Sequence, residues 1–570
     1  MRVGNVRRCL AWVSALAVAV AATGCQSDAQ THPQSDLTDL PPSATKPVAR
    51  EDLADGGTLR WGINEFPGQW NPHHANGNLG TVETVLDGLL PSPFRTDAEG
   101  QAHPDPDYVE EVAVQTEPEQ TVTLRLNPDA RWSTGDPITW YDYAAMVGAL
   151  AGENSGHQIL GEAGYERISD VSPGRSEFEV VITFERPFAD YASLFRLLLP
   201  ADYTETPEGF NEGYAGDIPV TAGPFEVGGI DRTAQTITLV RNDDWWGAPA
   251  RLDRIIYRSL APEALDAAFL DGGIDVYTMP IDPGSYERIS GASDGEIRAA
   301  LAPDYRHITL NGQSPGLSDV DVRHAIFLAI DRRAIAESAF SAMNWSPNVL
   351  DNHFLLANQE GYADNSGAWG EHDPERAAEL LEEAGWALEG EGADAVRTKD
   401  GEPLALRFTV PQGYAPALNE AELVQAMLGE VGIGVEIESV PGDHLFSDYI
   451  VPGNYDMVSF VNNGSGFPVS QSLLQWSDAT VDDEEAPQWR GNVGRIGSPE
   501  IDAAMTDAME SLDPSEAIEH INEADRLLWE AGHTLPLYQR PELVAVRGSL
   551  ANIGAPGFGR LDYADIGFTG

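Results

Sequence analysis

Polar side chains and aromatic rings near residue 460 form the part of the sequence best suited to binding chemistry. Asn462, Asn463 and Ser465 offer neutral hydrogen-bond donors and acceptors, and aromatic residues stand close by at Phe460, Phe467 and Trp476. Amides beside aromatic rings suit a sugar or polyol as well as a peptide backbone. The alternative is that these polar residues form turns, where Asn and Ser are common.

The sequence contains no motif for nucleophilic, phosphate or metal chemistry. No nucleophile elbow, phosphate-binding loop, HExxH sequence or cysteine cluster occurs. His73 and His74 are adjacent but lack a carboxylate or histidine partner at ligand spacing, which indicates a turn rather than a metal site. We therefore predict no metal, no cofactor and no catalysis. A secreted hydrolase is a distant alternative, because among so many acids some carboxylate pair falls at glycosidase spacing by chance.

Composition limits the class of partner. The 570 residues include 34 Lys or Arg and 91 Asp or Glu, which gives a net charge of −57 at pH 7. Phosphate contacts need basic surface, so we predict that no nucleic acid binds. A chain of this length is expected to form two or three lobes. The cysteines, Cys9 and Cys25, both lie near the N-terminus, so the rest of the chain forms no disulfide.

The first 24 residues have the order of a lipoprotein signal peptide. Three arginines precede an apolar run at 10–22, and small residues then lead to Cys25. The run is too short to span a bilayer, although a membrane anchor and an ordinary secretory signal are alternatives. We predict a signal peptide over 1–24, lipidation of Cys25, and a flexible polar tether over 25–55.

Residues 219–277 predict a compact α/β passage. Residues 236–240 alternate polar and apolar side chains, as a half-buried strand does. Pro262 suits the first turn of a helix, and Gly272 and Gly273 suit its end. Residues 274–277 predict a return to strand. The helices and strands of this passage are therefore expected to belong to one α/β lobe.

Motifs within and around this passage occur together in one known family. The sequences RWSTGDPIT at 131–139, RNDDWWG at 241–247 and LDGGID at 270–275 are followed by DVDVRHAIFLAIDR at 319–332. In this order and spacing they resemble the large peptide/nickel-type, family 5 solute-binding proteins of ABC importers. The resemblance extends over about residues 57–550.

The resemblance implies an α/β fold of the periplasmic-binding-protein type II (Venus-flytrap) class, with two α/β lobes that close on a ligand and an extra subdomain. The implied division assigns lobe I to 56–84, 215–307 and 526–570, the extra subdomain to 85–214, and lobe II to 308–525.

The resemblance also implies a ligand cleft. Asn76 and Asn78 follow a turn at which other family members line this cleft. A second region that lines the cleft in the family corresponds to residues 460–476. Peptide-binding members carry an Asp there that pairs with the peptide α-ammonium, whereas this chain has Gly464 at the aligned position. We therefore predict ligand contacts from neutral or aromatic side chains, namely Asn76, Asn78, Phe460, Asn462, Asn463, Phe467 and Trp476.

Further motifs resemble an actinobacterial subgroup, the LpqW-like lipoproteins, which are linked to assembly of cell-envelope glycolipids. These are GGTLRW at 56–61, QWNP at 69–72 and LPSPF at 90–94. We predict a monomeric, lipid-anchored protein at the outer face of the cell membrane that binds a peptide or similar small solute, including a glycan-like one, for an ABC permease and ATPase. Regulation or scaffolding of glycolipid assembly is the alternative.

Overall fold

A computed structural model describes residues 40–152, 156–161, 164–343, 345, 347–390, 392, 395–481 and 486–570. The predicted signal peptide, Cys25 and the predicted tether up to residue 39 lie outside these residues. Among the helices of the described part, none is long and apolar enough to cross a membrane.

Strands and helices alternate along most of the described chain. The strands are β1 (Thr58–Ile63), β2 (Phe94–Thr96), β3 (Ala102–Pro104), β4 (Val109–Gln115), β5 (Thr121–Leu126), β6 (Ile168–Pro173), β7 (Glu179–Phe184), β8 (Phe225–Asp231), β9 (Thr236–Arg241), β10 (Arg254–Ser259), β11 (Val276–Thr278), β12 (Gly295–Leu310), β13 (Ala387–Glu389), β14 (Val396–Lys399), β15 (Glu402–Pro403), β16 (Ala405–Pro411), β17 (Gly434–Val440), β18 (Met457–Asn463), β19 (Thr480–Val481), β20 (Pro487–Gln488), β21 (Thr534–Arg547), β22 (Leu550–Ala551) and β23 (Gly567–Phe568). The helices are α1 (Gly80–Leu86), α2 (Trp140–Leu150), α3 (Pro207–Glu212), α4 (Pro262–Leu270), α5 (Pro283–Ser290), α6 (Val320–Ala329), α7 (Arg332–Phe340), α8 (Pro374–Glu383), α9 (Ala415–Glu430), α10 (Pro468–Trp476), α11 (Pro499–Glu510) and α12 (Pro514–Ala531).

One mixed sheet of ten strands forms the centre of the fold. Its spatial order is β17-β16-β18-β12-β21-β11-β1-β10-β9-β8. β1 lies parallel to both β10 and β11, and β16 lies parallel to both β17 and β18. Parallel neighbours need crossover connections. α9 forms the crossover between the neighbours β16 and β17, whereas α4 connects β10 to β11, the two strands on either side of β1. The predicted strand at 236–240 and the predicted helix opening at Pro262 are thereby confirmed.

Two long antiparallel strands, β12 and β21, join the two halves of this sheet. β12 pairs with β18 on one side, and β21 pairs with β11 on the other. Their mutual ladder shifts register between Leu301 and Tyr305, so residues 302–304 form an irregular step at the centre of the sheet. The predicted lobe boundary at 308 falls inside β12, because one continuous strand crosses from one half to the other.

A separate four-stranded antiparallel sheet, β4-β5-β7-β6, lies within the predicted extra subdomain at 85–214. The alternating residues Val122, Leu124 and Leu126 of β5 are buried. Thr139 and Asp142 form a reciprocal capping box at the start of α2, as their spacing predicts. The alternation of apolar residues and the helix cap, both visible in the sequence, therefore predict the strand and the helix start in this part of the fold.

Residues 40–55 pack against the C-terminal segment of the chain. Ala44 and Ala555 form an antiparallel bridge, and Leu53 bridges Thr569. Arg50 pairs with Asp565, and the side chain of Leu40 is buried. The prediction of a flexible tether is therefore wrong for residues 40–55. The segment is held by main-chain hydrogen bonds, which require no particular side chains and so give no periodic pattern in the sequence.

Candidate functional site

A cavity of about 410 Å³ lies against the step between β12 and β21. Five distant segments of the chain supply its walls: the end of α1, residues 93–96, residues 192–196, residues 464–467 and residues 554–563. Pro303 of β12 and two residues of β21, Glu542 and Val544, also line it. Because Glu542 and Val544 are two positions apart on a strand, their side chains point to the same face.

One wall of the cavity carries charges that neutralise each other. Arg196 lies 2.9 Å from a carboxylate oxygen of Glu83 and 3.6 Å from one of Asp87. Arg560 contacts the same Asp87 carboxylate at 3.0 Å. Two cations and two anions thus pair along this wall, which leaves it with no net charge.

Glu542 is the remaining charged residue of the lining, and it is half-buried. Its Oε2 accepts a hydrogen bond of 3.1 Å from the Gly557 N–H. Within the described residues, no Lys, Arg or His forms an ion pair with this carboxylate. Burial raises the pKa of Glu542 to about 7, with a further contribution from the negative charge of Asp304 and an opposing one from the Gly557 N–H.

Aromatic rings cover a second part of the wall. Trp61 stacks between Tyr257 and Tyr563, with ring centroids 5.6 and 6.2 Å apart. Burial raises the pKa of the Tyr563 hydroxyl, which stays protonated and donates to the carbonyl oxygen of Thr84. Phe94 and Phe467 complete an apolar surface that suits hydrocarbon parts of a ligand.

Glycines bring bare backbone to the cavity. Gly464, Gly466, Gly557 and Gly559 all belong to the lining. A Cβ at Gly466 would stand closer than 3.0 Å to the carbonyl oxygen of Gly100, a residue of the loop between β2 and β3. The chain therefore closes over the cavity at a point where only glycine fits.

The structure brings one predicted ligand residue, Phe467, into the cavity lining, next to Gly464 and Ser465. Asn462 donates a 2.8 Å hydrogen bond to the Tyr305 hydroxyl, and Asn463 is exposed at the end of β18. Neither amide belongs to the lining of the cavity. Both lie on β18, the strand that leads into the lining segment 464–467.

The other four predicted ligand residues lie apart from the cavity lining. Phe460 packs against His307, with ring centroids 4.3 Å apart. Asn76 and Asn78 are exposed in the turn before α1. Trp476 has 0% of its surface exposed and packs against His353 and His533. Ligand contact by these four, as by Asn462 and Asn463, stays a prediction.

Sequence reasoning did not identify Glu542, Arg196, Arg560 or Tyr563. A signal existed for Glu542 alone, since it is the acid directly before the apolar run 543–546 of β21. The described residues contain no group of three or more His, Cys, Asp or Glu that could hold a metal ion.

Comparison with known proteins gives the family. The family model described as "Bacterial extracellular solute-binding proteins, family 5 Middle" matches residues 103–484. The oligopeptide-binding protein OppA of Mycobacterium tuberculosis is 37% identical over 571 residues, covering 98% of this chain and 93% of OppA. The probable monoacyl phosphatidylinositol tetramannoside-binding protein LpqW of the same organism is 30% identical over 342 residues, covering 57% of this chain and 51% of LpqW.

A solved structure, the periplasmic EDTA-binding protein EppA, aligns with a TM-score of 0.82 at 24% identity and covers 95% of this chain and 100% of EppA. This alignment confirms the predicted periplasmic-binding-protein fold, and the family match confirms the resemblance carried by the motifs. The chain belongs to the family 5 bacterial extracellular solute-binding proteins, the binding components of ABC importers.

Proposed function

We propose that this protein captures a short peptide, or a similar small solute, in the cavity and delivers it to an ABC permease and its ATPase. The observation that carries the proposal is the similarity to an oligopeptide-binding protein over 98% of the chain. The cavity volume of about 410 Å³ falls within the range typical of small-ligand sites. A cavity of this size favours a ligand of few residues.

The lining has the chemistry that a peptide needs. The glycine-rich segments 464–466 and 557–559 present backbone groups that can pair with the backbone of a ligand. Phe94 and Phe467 accept apolar side chains. From the predicted set we place Phe467 in this site and keep Asn462 and Asn463 as a separate hypothesis, which unchanged affinity in the Asn462→Ala, Asn463→Ala double variant would remove.

The proposed function involves binding without catalysis. The carboxylates of Glu83 and Asp87 on the charged wall are held in ion pairs with Arg196 and Arg560. Peptides recovered from the protein should therefore be intact after prolonged incubation. Appearance of cleaved products, absent from a sample without protein, would revive the hydrolase alternative.

The glycolipid alternative has narrower support, because similarity to LpqW covers 57% of the chain. A glycolipid would have to place its acyl chain and its mannose headgroup in or beside the cavity. Mannosylated phosphatidylinositol that co-purifies with the protein and resists displacement by peptides would favour this alternative.

We further propose that the mature protein is a monomer held at the outer face of the membrane by lipidated Cys25. The family is extracellular, and the cysteine follows small residues after an apolar run. Cys25→Ala should release the protein from the membrane fraction. Retention of the variant in that fraction would instead support an uncleaved apolar anchor.

The test of the proposed function is native mass spectrometry of residues 26–570 with a defined pool of short peptides. A retained adduct at a ratio of one peptide to one protein monomer is the expected result. A folded protein that retains no peptide at all would overturn the proposal.

A further inference from the structure

The step between β12 and β21 places one carboxylate in the cavity without a partner of opposite charge. Glu542 pairs in register with Ala300, directly before the ladder shifts at Leu301. Its side chain and that of Val544 line the cavity together. The ladder thus holds Glu542 by its backbone on the central sheet, rather than on a loop.

Every other charged side chain in this region has an opposite charge in contact. Arg196 and Arg560 are paired with Glu83 and Asp87, as described above. The nearest charges along the strands, Arg540 and Asp304, pair with each other at 2.9 Å. These pairs sum to zero, so ionisation of Glu542 gives the cavity region a net charge of −1.

The bonding of the carboxylate leaves one oxygen for a ligand. Oε2 accepts the Gly557 N–H, and within the described residues no hydrogen bond reaches Oε1. A half-buried carboxylate with a single neutral donor is only partly compensated for the water that it loses. A cation in the cavity would supply both the missing charge and the missing donors.

We propose that Glu542 binds a cationic amine of the solute, and that a primary ammonium such as the N-terminus of a peptide is the group it selects. This assignment rests on the proposed function and names the chemistry of the same cavity. The compact ammonium offers three donors, of which one satisfies Oε1 and the others can reach backbone carbonyl oxygens of the glycine-rich lining.

The raised pKa of Glu542 is consistent with this assignment. Near neutral pH the carboxyl is only partly ionised in the empty protein, because burial and the charge of Asp304 both oppose ionisation. The pairs Arg196–Asp87 and Arg540–Asp304 face the same region but offer it no free positive charge. An ammonium ion would shift the carboxyl fully to its charged form.

The experiment compares two peptide pools by native mass spectrometry. One pool contains tri- to pentapeptides without Lys, Arg or His, so that the α-ammonium is the only cation. The second pool is the same material after N-acetylation. Wild-type protein, Glu542→Gln and the exposed control Glu226→Gln on β8 are tested with both pools.

The expected result is that wild type and Glu226→Gln retain the free-amine pool at least roughly tenfold better than the acetylated pool. Glu542→Gln should lose that preference and bind the two pools alike. Gln has nearly the same shape as Glu and removes only the charge, and an unchanged or raised melting temperature at pH 8 would verify that the variant is folded.

The outcomes separate the two proposals. Equal retention of both pools by wild type, or an undiminished preference in Glu542→Gln, would overturn the role of Glu542 while leaving peptide binding in place. Retention of neither pool by wild type would overturn the proposed function and this assignment with it.

Discussion

A buried ion pair provides the sharpest test of how the fold is held around the site. Arg306 of β12 and Glu420 of α9 approach within 2.9 Å, and their side chains are 7% and 4% exposed. Ser459 of β18 donates to the other oxygen of Glu420. The pair therefore fastens a helix to the two central strands that lead to the cavity.

Replacing one partner should destabilise the protein strongly. In Glu420→Leu the guanidinium of Arg306 loses its counter-charge, and a buried charge left alone costs about 3–5 kcal/mol. At about 2.1 cal/mol/K per residue, residues 40–570 have an unfolding entropy of roughly 1.1 kcal/mol/K if they unfold together. The melting temperature should then fall by roughly 3–5 °C.

The assay is thermal and urea unfolding of wild type, Glu420→Leu, Arg306→Met and the double variant. Because two apolar residues can replace a buried ion pair at little cost, the double variant should recover most of the stability lost by either single variant. The matched control is Glu523→Gln, whose partner Arg526 lies on the same exposed surface of α12, with side chains 47% and 43% exposed. Exposed pairs contribute about 0–1 kcal/mol.

The result that refutes this reasoning is a Glu420→Leu variant no less stable than Glu523→Gln. That outcome would mean that water reaches the Arg306 guanidinium. Equal and additive losses in the double variant would mean that the two side chains act independently.

Three further predictions follow from single sites. Gly466→Ala should weaken peptide binding at least roughly fivefold, because its Cβ would clash with the Gly100 carbonyl oxygen. The control Gly68→Ala, which has open space around its Cβ, should bind peptides like wild type. Equal affinities of the two variants would show that the loop around Gly100 moves to accommodate the methyl group. Gly148→Ala, exposed in α2 with no neighbour near its Cβ, should stabilise the protein by about 0.5–1 kcal/mol in urea unfolding, and a loss would reveal an unseen contact. Since the pKa of Glu542 is raised from 4.5 to about 7, the folded state binds more protons than the unfolded state between these values, and this carboxyl's contribution to stability falls as pH rises from 4.5 to 7. Glu542→Gln should lack that contribution, so its urea midpoint relative to wild type should be higher at pH 8 than at pH 5; an unchanged difference would contradict the raised pKa.

Local signals in the sequence predict the secondary structure well where side chains repeat with a period or cap a helix. The alternation in β5 and β9, the capping box of Thr139 and Asp142, and the cap that Asp331 provides for α7 are examples. Each of these depends on residues within one or two turns of chain. The residue types and their spacing in the sequence are therefore sufficient to predict these strands and helix starts.

The segment 40–55 shows where such signals fail. Its contacts run through backbone atoms, as between Ala44 and Ala555, or through single side chains such as Asn552, which accepts from the Val48 N–H. A main-chain hydrogen bond can form between almost any two residue types, so the sequence does not reveal it. Polar composition therefore predicts a tether, whereas the C-terminal segment holds this part of the chain in place.

The lining of the cavity could be predicted only where it follows a motif along the chain. Phe467, which lines the cavity, follows the region that the family resemblance singles out, and ligand contact by it stays a prediction. Asn462 donates to the Tyr305 hydroxyl and Trp476 packs against His353 and His533, so the sequence shows their chemistry but not these contacts within the fold. The cavity is assembled from segments between residues 61 and 563, and their convergence is a property of the sheet order.

Gly464 and Glu542 together explain why a single aligned position is a weak guide to the ligand. The sequence suggests that ammonium recognition is lost, because glycine stands where peptide-binding members have a carboxylate. The structure places Glu542 in the lining of the same cavity as Gly464, although 78 residues separate them along the chain. An ammonium ion is attracted by the electrostatic potential inside the cavity, whichever strand or loop supplies the negative charge. Recognition of the amine therefore depends on whether any carboxylate in the lining lacks a counter-charge, and Glu542 meets that condition.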